Sequence, residues 1–308
     1  MIVVATDFSE CANDAVAYGA VLAQRLGSEV SLLHVFEPPS FIEPAFSQEV
    51  QLRHDLRQWV EDARRHAAER LDRLARETAE RGVKAHAVLR DGLPTDEIPL
   101  AVAERGAEML VLGTHGRTGV SRVLLGSVAE AVIRQAPCPV LTVRQGQQPP
   151  RPRLMSIAVA LDFSPGSAIA LDQAKQLATR TTAQLILVHV VEAWPYAVTE
   201  SLQWIDVQQR LTEVAGALLD GVLGEVRQEA IYATKALSQG TAYQEIVRLA
   251  TAAEADLIVM GTHGRRGIQR TVVGSVAERV IRLAPCPVLT VRNARGTGRA
   301  GNPGERAP

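Results

Sequence analysis

The sequence predicts an α/β chain made of two tandem doubly wound domains, each a five-stranded parallel sheet with helices on both faces. Two observations carry this prediction. The chain repeats itself: residues 113–144 and 261–292 align without gaps at a spacing of 148, and 24 of the 32 positions are identical. Within each copy, short runs rich in Val, Ile and Leu alternate with helical patterns, as strands buried on both faces of a parallel sheet do. A chain of 308 residues is long for one compact domain and comfortable for two.

Taken in order, the first copy shows strand-length apolar runs at Ile2–Thr6, Glu29–Val35, Val83–Leu89, Met109–Gly113 and Val140–Val143. Helices are expected between them at about 9–26, 47–81, 94–105 and 127–136. The second copy follows with strands near 157–161, 184–190, 230–237, 257–261 and 288–291. Ser9 and Ser164 read as helix caps, the latter with Pro165 at the favoured first helical position. Asp7-Phe8-Ser9 is answered by Asp162-Phe163-Ser164, 155 residues on, so the first copy holds about seven extra residues before Gly92. Its long charged segment Glu49–Arg81 places Leu52, Leu56, Trp59, Val60, Ala63 and Ala67 near helical spacing, which predicts a solvated helix with one buried face. The domains therefore run 1–144 and 154–293. The Pro-rich stretch 145–153 reads as a linker and 294–308 as a disordered tail.

Composition narrows the function. The formal net charge of −1 argues against a dedicated nucleic-acid surface, which needs a basic excess. The first apolar run ends at Asp7, so no signal-peptide core is expected, and no stretch is long enough to span a membrane. The three cysteines, Cys11, Cys138 and Cys286, have no metal-ligand spacing and no pKa-lowering neighbours in sequence; packing roles and a cytoplasmic setting are expected.

A doubly wound sheet binds ligands beyond the carboxyl ends of its strands, where strand order reverses. After strand four comes Gly113-Thr-His-Gly116, then nine residues, then Gly126-Ser127 opening a helix; Gly261, Gly264, Gly274 and Ser275 repeat the arrangement. Glycines let a backbone approach phosphate oxygens or adopt positive φ, and a helix start presents free N–H groups to an anion. Ser127-Val-Ala-Glu130 and Ser275-Val-Ala-Glu278 also match capping boxes, which would explain those serines without a ligand. His115, His263, Arg117, Arg265 and Arg266 lie in or beside the loops; each could face phosphate, the arginines by charge, but they are expected mainly on solvent, while His34 and His189, between apolar neighbours, read as structural.

The spaced glycine motif, after an apolar strand in a domain that opens with Asp-Phe-Ser, closely resembles the universal stress protein family, in tandem form and in its ATP-binding branch. The resemblance covers nearly all of 1–144 and 156–292. It implies the sheet order 3-2-1-4-5 in each domain. It places adenine contacts on Asp7 and Val35, and on Asp162 and Val190. It places ribose and triphosphate contacts on Gly113, Gly116, Gly126, Ser127 and Val128, and on Gly261, Gly264, Gly274, Ser275 and Val276. The ligand would be ATP, ADP or AMP, with Mg²⁺ held mainly through the phosphates. The aspartates also have a purely structural reading, bracing the strand-to-helix turn.

The resemblance further implies that strand five, an apolar edge that would be a liability if open, joins the two copies within the chain; two chains are then expected to associate further. Templates for catalysis are missing: there is no phosphate-loop lysine motif, nucleophile elbow or paired-histidine metal site. The expected function is a stress-response regulatory protein that binds adenine nucleotide at one site per domain, with at most slow hydrolysis. The rivals are an ATP-consuming enzyme of related α/β type and a lipid- or apolar-ligand-binding protein with non-functional nucleotide pockets.

Overall fold

The computed structural model describes residues 1–38, 50–116, 125–147, 149, 154–192, 202–264 and 273–292. The first copy is built from β1 (Ile2–Ala5), α1 (Glu10–Leu26), β2 (Val30–Phe36), α2 (Val50–Ala79), β3 (Ala85–Asp91), α3 (Pro94–Glu104), β4 (Met109–Gly113), α4 (Ser127–Gln135) and β5 (Val140–Val143). The second follows with β6 (Ser156–Ala160), α5 (Pro165–Thr181), β7 (Gln184–Glu192), α6 (Leu202–Gln228), β8 (Ala233–Gly240), α7 (Ala242–Ala252), β9 (Leu257–Gly261), α8 (Ser275–Leu283) and β10 (Val288–Val291).

Strands run in the order β3-β2-β1-β4-β5-β10-β9-β6-β7-β8, so each copy has the expected 3-2-1-4-5 order. Pairing within each copy is parallel, with Val4 opposite Leu32 and Val111, and Val159 opposite Leu187 and Val259. Successive strand side chains point to opposite faces. Ile2 and Val4 accordingly join Val16 and Leu22 of α1 and Leu71 of α2, while Val3 and Ala5 join Ile98 and Val102 of α3 and Val132 and Ile133 of α4. Gly19 lets α1 lie close on the sheet: a Cβ there would fall 2.7 Å from Cγ2 of Val4.

At the centre of the sheet β5 and β10 pair antiparallel, Leu141 opposite Leu289. Thr142 and Thr290 each donate a side-chain hydrogen bond, both 3.1 Å, to the carbonyls of Val288 and Val140. Arg144 Nη1 donates to the carbonyl of Ala284 at 3.0 Å, Arg292 Nη1 to that of Arg134 at 2.7 Å, and Tyr18 Oη to that of Asp256 at 3.0 Å. Arg180 bonds Glu108 Oε2 at 3.0 Å and also reaches the carbonyl of Leu26.

Some expected boundaries move. The third strands start later than the apolar runs, at Ala85 and Ala233, because the chain first turns through Gly82 (φ 84°) and Ala230 (φ 60°). The long helix stops at Ala79, where Gly82 N donates back to the Ala79 carbonyl; residues 47–49 of its expected start lie outside the described ones. Trp59 does not belong to the buried face of α2: it is exposed, and Leu71, Ala75 and Thr78 fill that role further along. The expected tail and most of the expected linker are also outside the described residues. Among the described residues no helix is long and apolar enough to cross a membrane.

Candidate functional site

Each copy gathers its site at the carboxyl ends of its first, second and fourth strands. After β1 the chain turns sharply through Phe8, at φ 65°, and after β6 through Phe163, at φ 60°. The aspartate before each phenylalanine holds this turn: Ser9 N donates to Asp7 Oδ1 and Ser164 N to Asp162 Oδ1, both at 3.0 Å. Ser9 and Ser164 then cap the helices as expected, accepting from Ala12 N and Ser167 N at 3.2 Å. The histidines are structural too. The Nδ1 of His34 lies 2.7 Å from the Thr6 carbonyl and that of His189 lies 2.6 Å from Leu161, and their rings pack on Phe8 and Phe163.

The other oxygen of each aspartate faces the glycine loop. A Cβ built on Gly116 would stand 2.8 Å from Asp7 Oδ2, and one on Gly264 2.7 Å from Asp162 Oδ2. Gly113 lies against Cys11 and Gly261 against Gly166, while Gly126 and Gly274 each meet the carbonyl of the threonine inside their loop. None of these six glycines has a positive φ. Their role is close approach, and part of the expectation from sequence is corrected here: the glycines are needed by the protein's own packing as well as by any anion. The loop closes on itself, Gly126 N donating to Thr114 O and Gly274 N to Thr262 O, both at 2.9 Å.

The capping-box reading of the serines is overturned. The N-caps of α4 and α8 are Gly126 and Gly274, with no side-chain cap, and Ser127 and Ser275 stand one position inside the helix. Because glycine occupies the cap, the cap residue offers the first-turn N–H groups no side-chain oxygen, and the exposed serine stands at the first helical position. A glycine-capped helix start of this kind attracts an anion through its N–H groups and dipole.

His115 and His263 depart from the solvent position expected of them. Their Nδ1 atoms pair with Thr114 and Thr262 at 2.9 and 3.0 Å, and their Nε2 atoms are buried without a hydrogen-bond partner among the described residues. Arg117, Arg265 and Arg266 lie outside the described residues. Burial pushes the Cys138 and Cys286 thiols up to about 12, in keeping with packing roles, and Cys11 is buried with its thiol donating to the Val143 carbonyl at 3.3 Å.

In the second copy the site is a cavity of about 700 Å³ that brings together Asp162, Val190, Gly261, Gly264, Gly274, Ser275 and Val276. That size lies within the range of small-molecule pockets. The same elements place Asp7, Gly113, Gly116, Gly126, Ser127 and Val128 at the matching end of the first copy, with Val35 near the end of β2 opposite Arg90. Two features were not singled out from sequence. Leu211, Val214 and Leu218 of α6 line the second cavity, a wall that their spacing of three and four residues could have revealed. In the first copy Arg70 of α2 lies over the Phe8 ring, 4.5 Å from its centroid.

Comparison with known proteins agrees with the architecture. The Universal stress protein family matches residues 1–144 and again 154–292. The universal stress protein Rv2005c of Mycobacterium tuberculosis is 31% identical over 242 residues, covering 77% of this chain and 79% of that one. The universal stress protein Rv2623 of the same organism is 29% identical over 308 residues, covering 95% and 96%. Among solved structures, a universal stress protein from Archaeoglobus fulgidus superposes with a TM-score of 0.61 at 22% identity, covering 94% of this chain and 97% of its own, a likeness of fold.

Proposed function

We propose, from the premise that this chain belongs to the universal stress protein family, that it is a stress-response regulatory protein holding one adenine nucleotide in each half. The observation that carries this reading is the paired geometry at each loop. A glycine-capped helix start with an exposed serine closes a glycine loop that packs directly on a carboxylate. Ser127 and Ser275, with the N–H groups of Val128 and Val276, would receive the phosphates. Asp7 and Asp162 would accept hydrogen bonds from ribose or base while still bracing their turns, and Val35 and Val190 would pack on adenine. Mg²⁺, when bound with the nucleotide, would screen the phosphate charge and be held chiefly by the phosphates and water.

Binding rather than turnover is the role this chemistry supports. Rapid phosphoryl transfer needs charge-stabilising cations and a positioned nucleophile, and the residues assembled here supply an anion cradle. Hydrolysis is proposed to be slow at most. The β5–β10 ladder supports a further proposal, that the two halves act as one unit in solution, with association of two chains beyond that. The setting is proposed to be cytoplasmic.

The nucleotide content of protein purified without added ligand tests the reading. Denaturation should release close to two adenine nucleotides per chain, or an emptied protein should take up that number. Absence of adenine nucleotide together with no thermal shift from ATP would sink it.

A further inference from the structure

The two halves share one loop but differ in the helix that runs beside it. In the second half Leu211, Val214 and Leu218 line the cavity yet are 47%, 59% and 50% exposed. They lie on one face of α6, spanning about 10 Å along it. Glycine loop and leucine wall face the same chamber, so a single ligand can touch both. The matching residues of α2, 148 positions earlier, are Ala63, His66 and Arg70. That register is firm: Leu71 and Leu219 are both fully buried, and the neighbouring strands keep it, Val30 opposite Ala85 and Leu185 opposite Ala233. Arg70 stands where the second half has Leu218, stacked on Phe8 and donating to its carbonyl at 3.3 Å. A guanidinium thus stacks on Phe8, next in sequence to Asp7, where the second half sets the hydrocarbon of Leu218 in the cavity wall.

Apolar side chains left exposed inside a cavity with an anion cradle mark a ligand that is apolar at one end and charged at the other. We propose that the second site takes an adenine nucleotide bearing a linear apolar chain, its phosphate at Ser275 and its chain along Leu211, Val214 and Leu218. The first site, with Arg70 in the place of Leu218, takes the unsubstituted nucleotide. This inference rests on the nucleotide reading above and adds the class of ligand that distinguishes the halves.

The test compares AMP, the dodecyl phosphoester of AMP, N6-dodecyl-AMP and dodecyl phosphate by calorimetry, in full-length protein carrying Gly126→Arg to silence the first site. The two alkylated nucleotides separate a chain attached at the phosphate from one attached at the base. At least one should bind ten-fold or more tightly than AMP, and Leu218→Arg, which copies the first half, should bring that ratio close to one. Val214→Asn, also at an exposed position, should lower it as well. AMP binding with no gain from either chain overturns this inference alone, as does a gain that survives both substitutions. Dodecyl phosphate binding as well as the alkylated nucleotides overturns the nucleotide head. Failure of every adenine nucleotide, ATP included, overturns the nucleotide reading and this inference with it.

Discussion

Adding one methyl group to Gly264 should weaken nucleotide binding at the second site through Asp162. The new Cβ would lie 2.7 Å from Oδ2, and an ordinary carbon–oxygen contact needs about 3.3 Å, so the carboxylate must retreat by about 0.6 Å. It cannot swing freely, because Oδ1 accepts from Ser164 N at 3.0 Å and braces the turn into α5. A hydrogen bond from ligand to that carboxylate is worth about 1.5–3 kcal/mol, so losing it costs roughly ten- to hundred-fold in Kd. The backbone of Gly264 is not in the left-handed region, so alanine adds no φ strain, and the cost to global stability is that of overpacking alone, about 1–3 kcal/mol. Calorimetric titration of ATP into Gly264→Ala, Asp162→Ala and the double variant reads the coupling directly. If the methyl acts through the aspartate, it costs little once the aspartate is gone. An equal loss in both backgrounds would refute the reasoning, because the methyl would then be meeting the ligand itself.

Three further outcomes follow from the same geometry. Ser164→Ala removes a helix cap and should cost about 1 kcal/mol in urea unfolding, whereas Ser275→Ala, not a cap, should leave stability within about 0.5 kcal/mol and instead lower ATP affinity; equal destabilisation would contradict the capping assignment. Tyr18→Phe deletes the partly buried bond to the Asp256 carbonyl between the two halves and should cost about 1 kcal/mol, with an unchanged unfolding midpoint as the contrary result. Burial raises the Glu108 carboxyl, but bonds from Ser28, Arg180 and the N-terminal amine outweigh it and pull it down to about 2. The unfolded carboxyl takes up its proton first as pH falls, so this stabilisation is full above about 4.5 and lost toward about 2. With the group a third exposed, the contribution is about 1–2 kcal/mol. Glu108→Gln should flatten that part of the stability profile, and an unaltered profile would exclude Glu108 as its source.

Most of the fold was legible because buried parallel strands write continuous apolar runs. Met109–Gly113 and Val140–Val143 were placed to the residue, since each is closed by a glycine or a proline. The starts of β3 and β8 were not, because Val83 and Ile231 are buried before the ladder begins and look like strand in sequence. The glycine loops were visible as a spacing repeated in both copies. What the spacing could not tell was which atoms the glycines avoid: the Asp7–Gly116 and Asp162–Gly264 contacts join residues more than 100 positions apart. Sequence leaves the serines open between cap and phosphate contact, because Ser-x-x-Glu fits a capping box, and only the backbone shows glycine in the cap. The α6 strip is legible in the spacing of Leu211, Val214 and Leu218, but such a strip ordinarily means core, and its position beside the cavity is what marks it as a ligand wall.

The most direct test of the central claim is the stoichiometry of ATP binding, measured by equilibrium dialysis with labelled nucleotide on the intact chain and on loop variants. Two equivalents per chain are expected. Gly126→Arg and Gly274→Arg should each leave one, because arginine at either position would drive a Cβ to within about 3 Å of the loop threonine carbonyl and a cation into the cradle. The double variant should bind none. Two equivalents retained in the double variant, or none in the wild-type chain, would contradict the account.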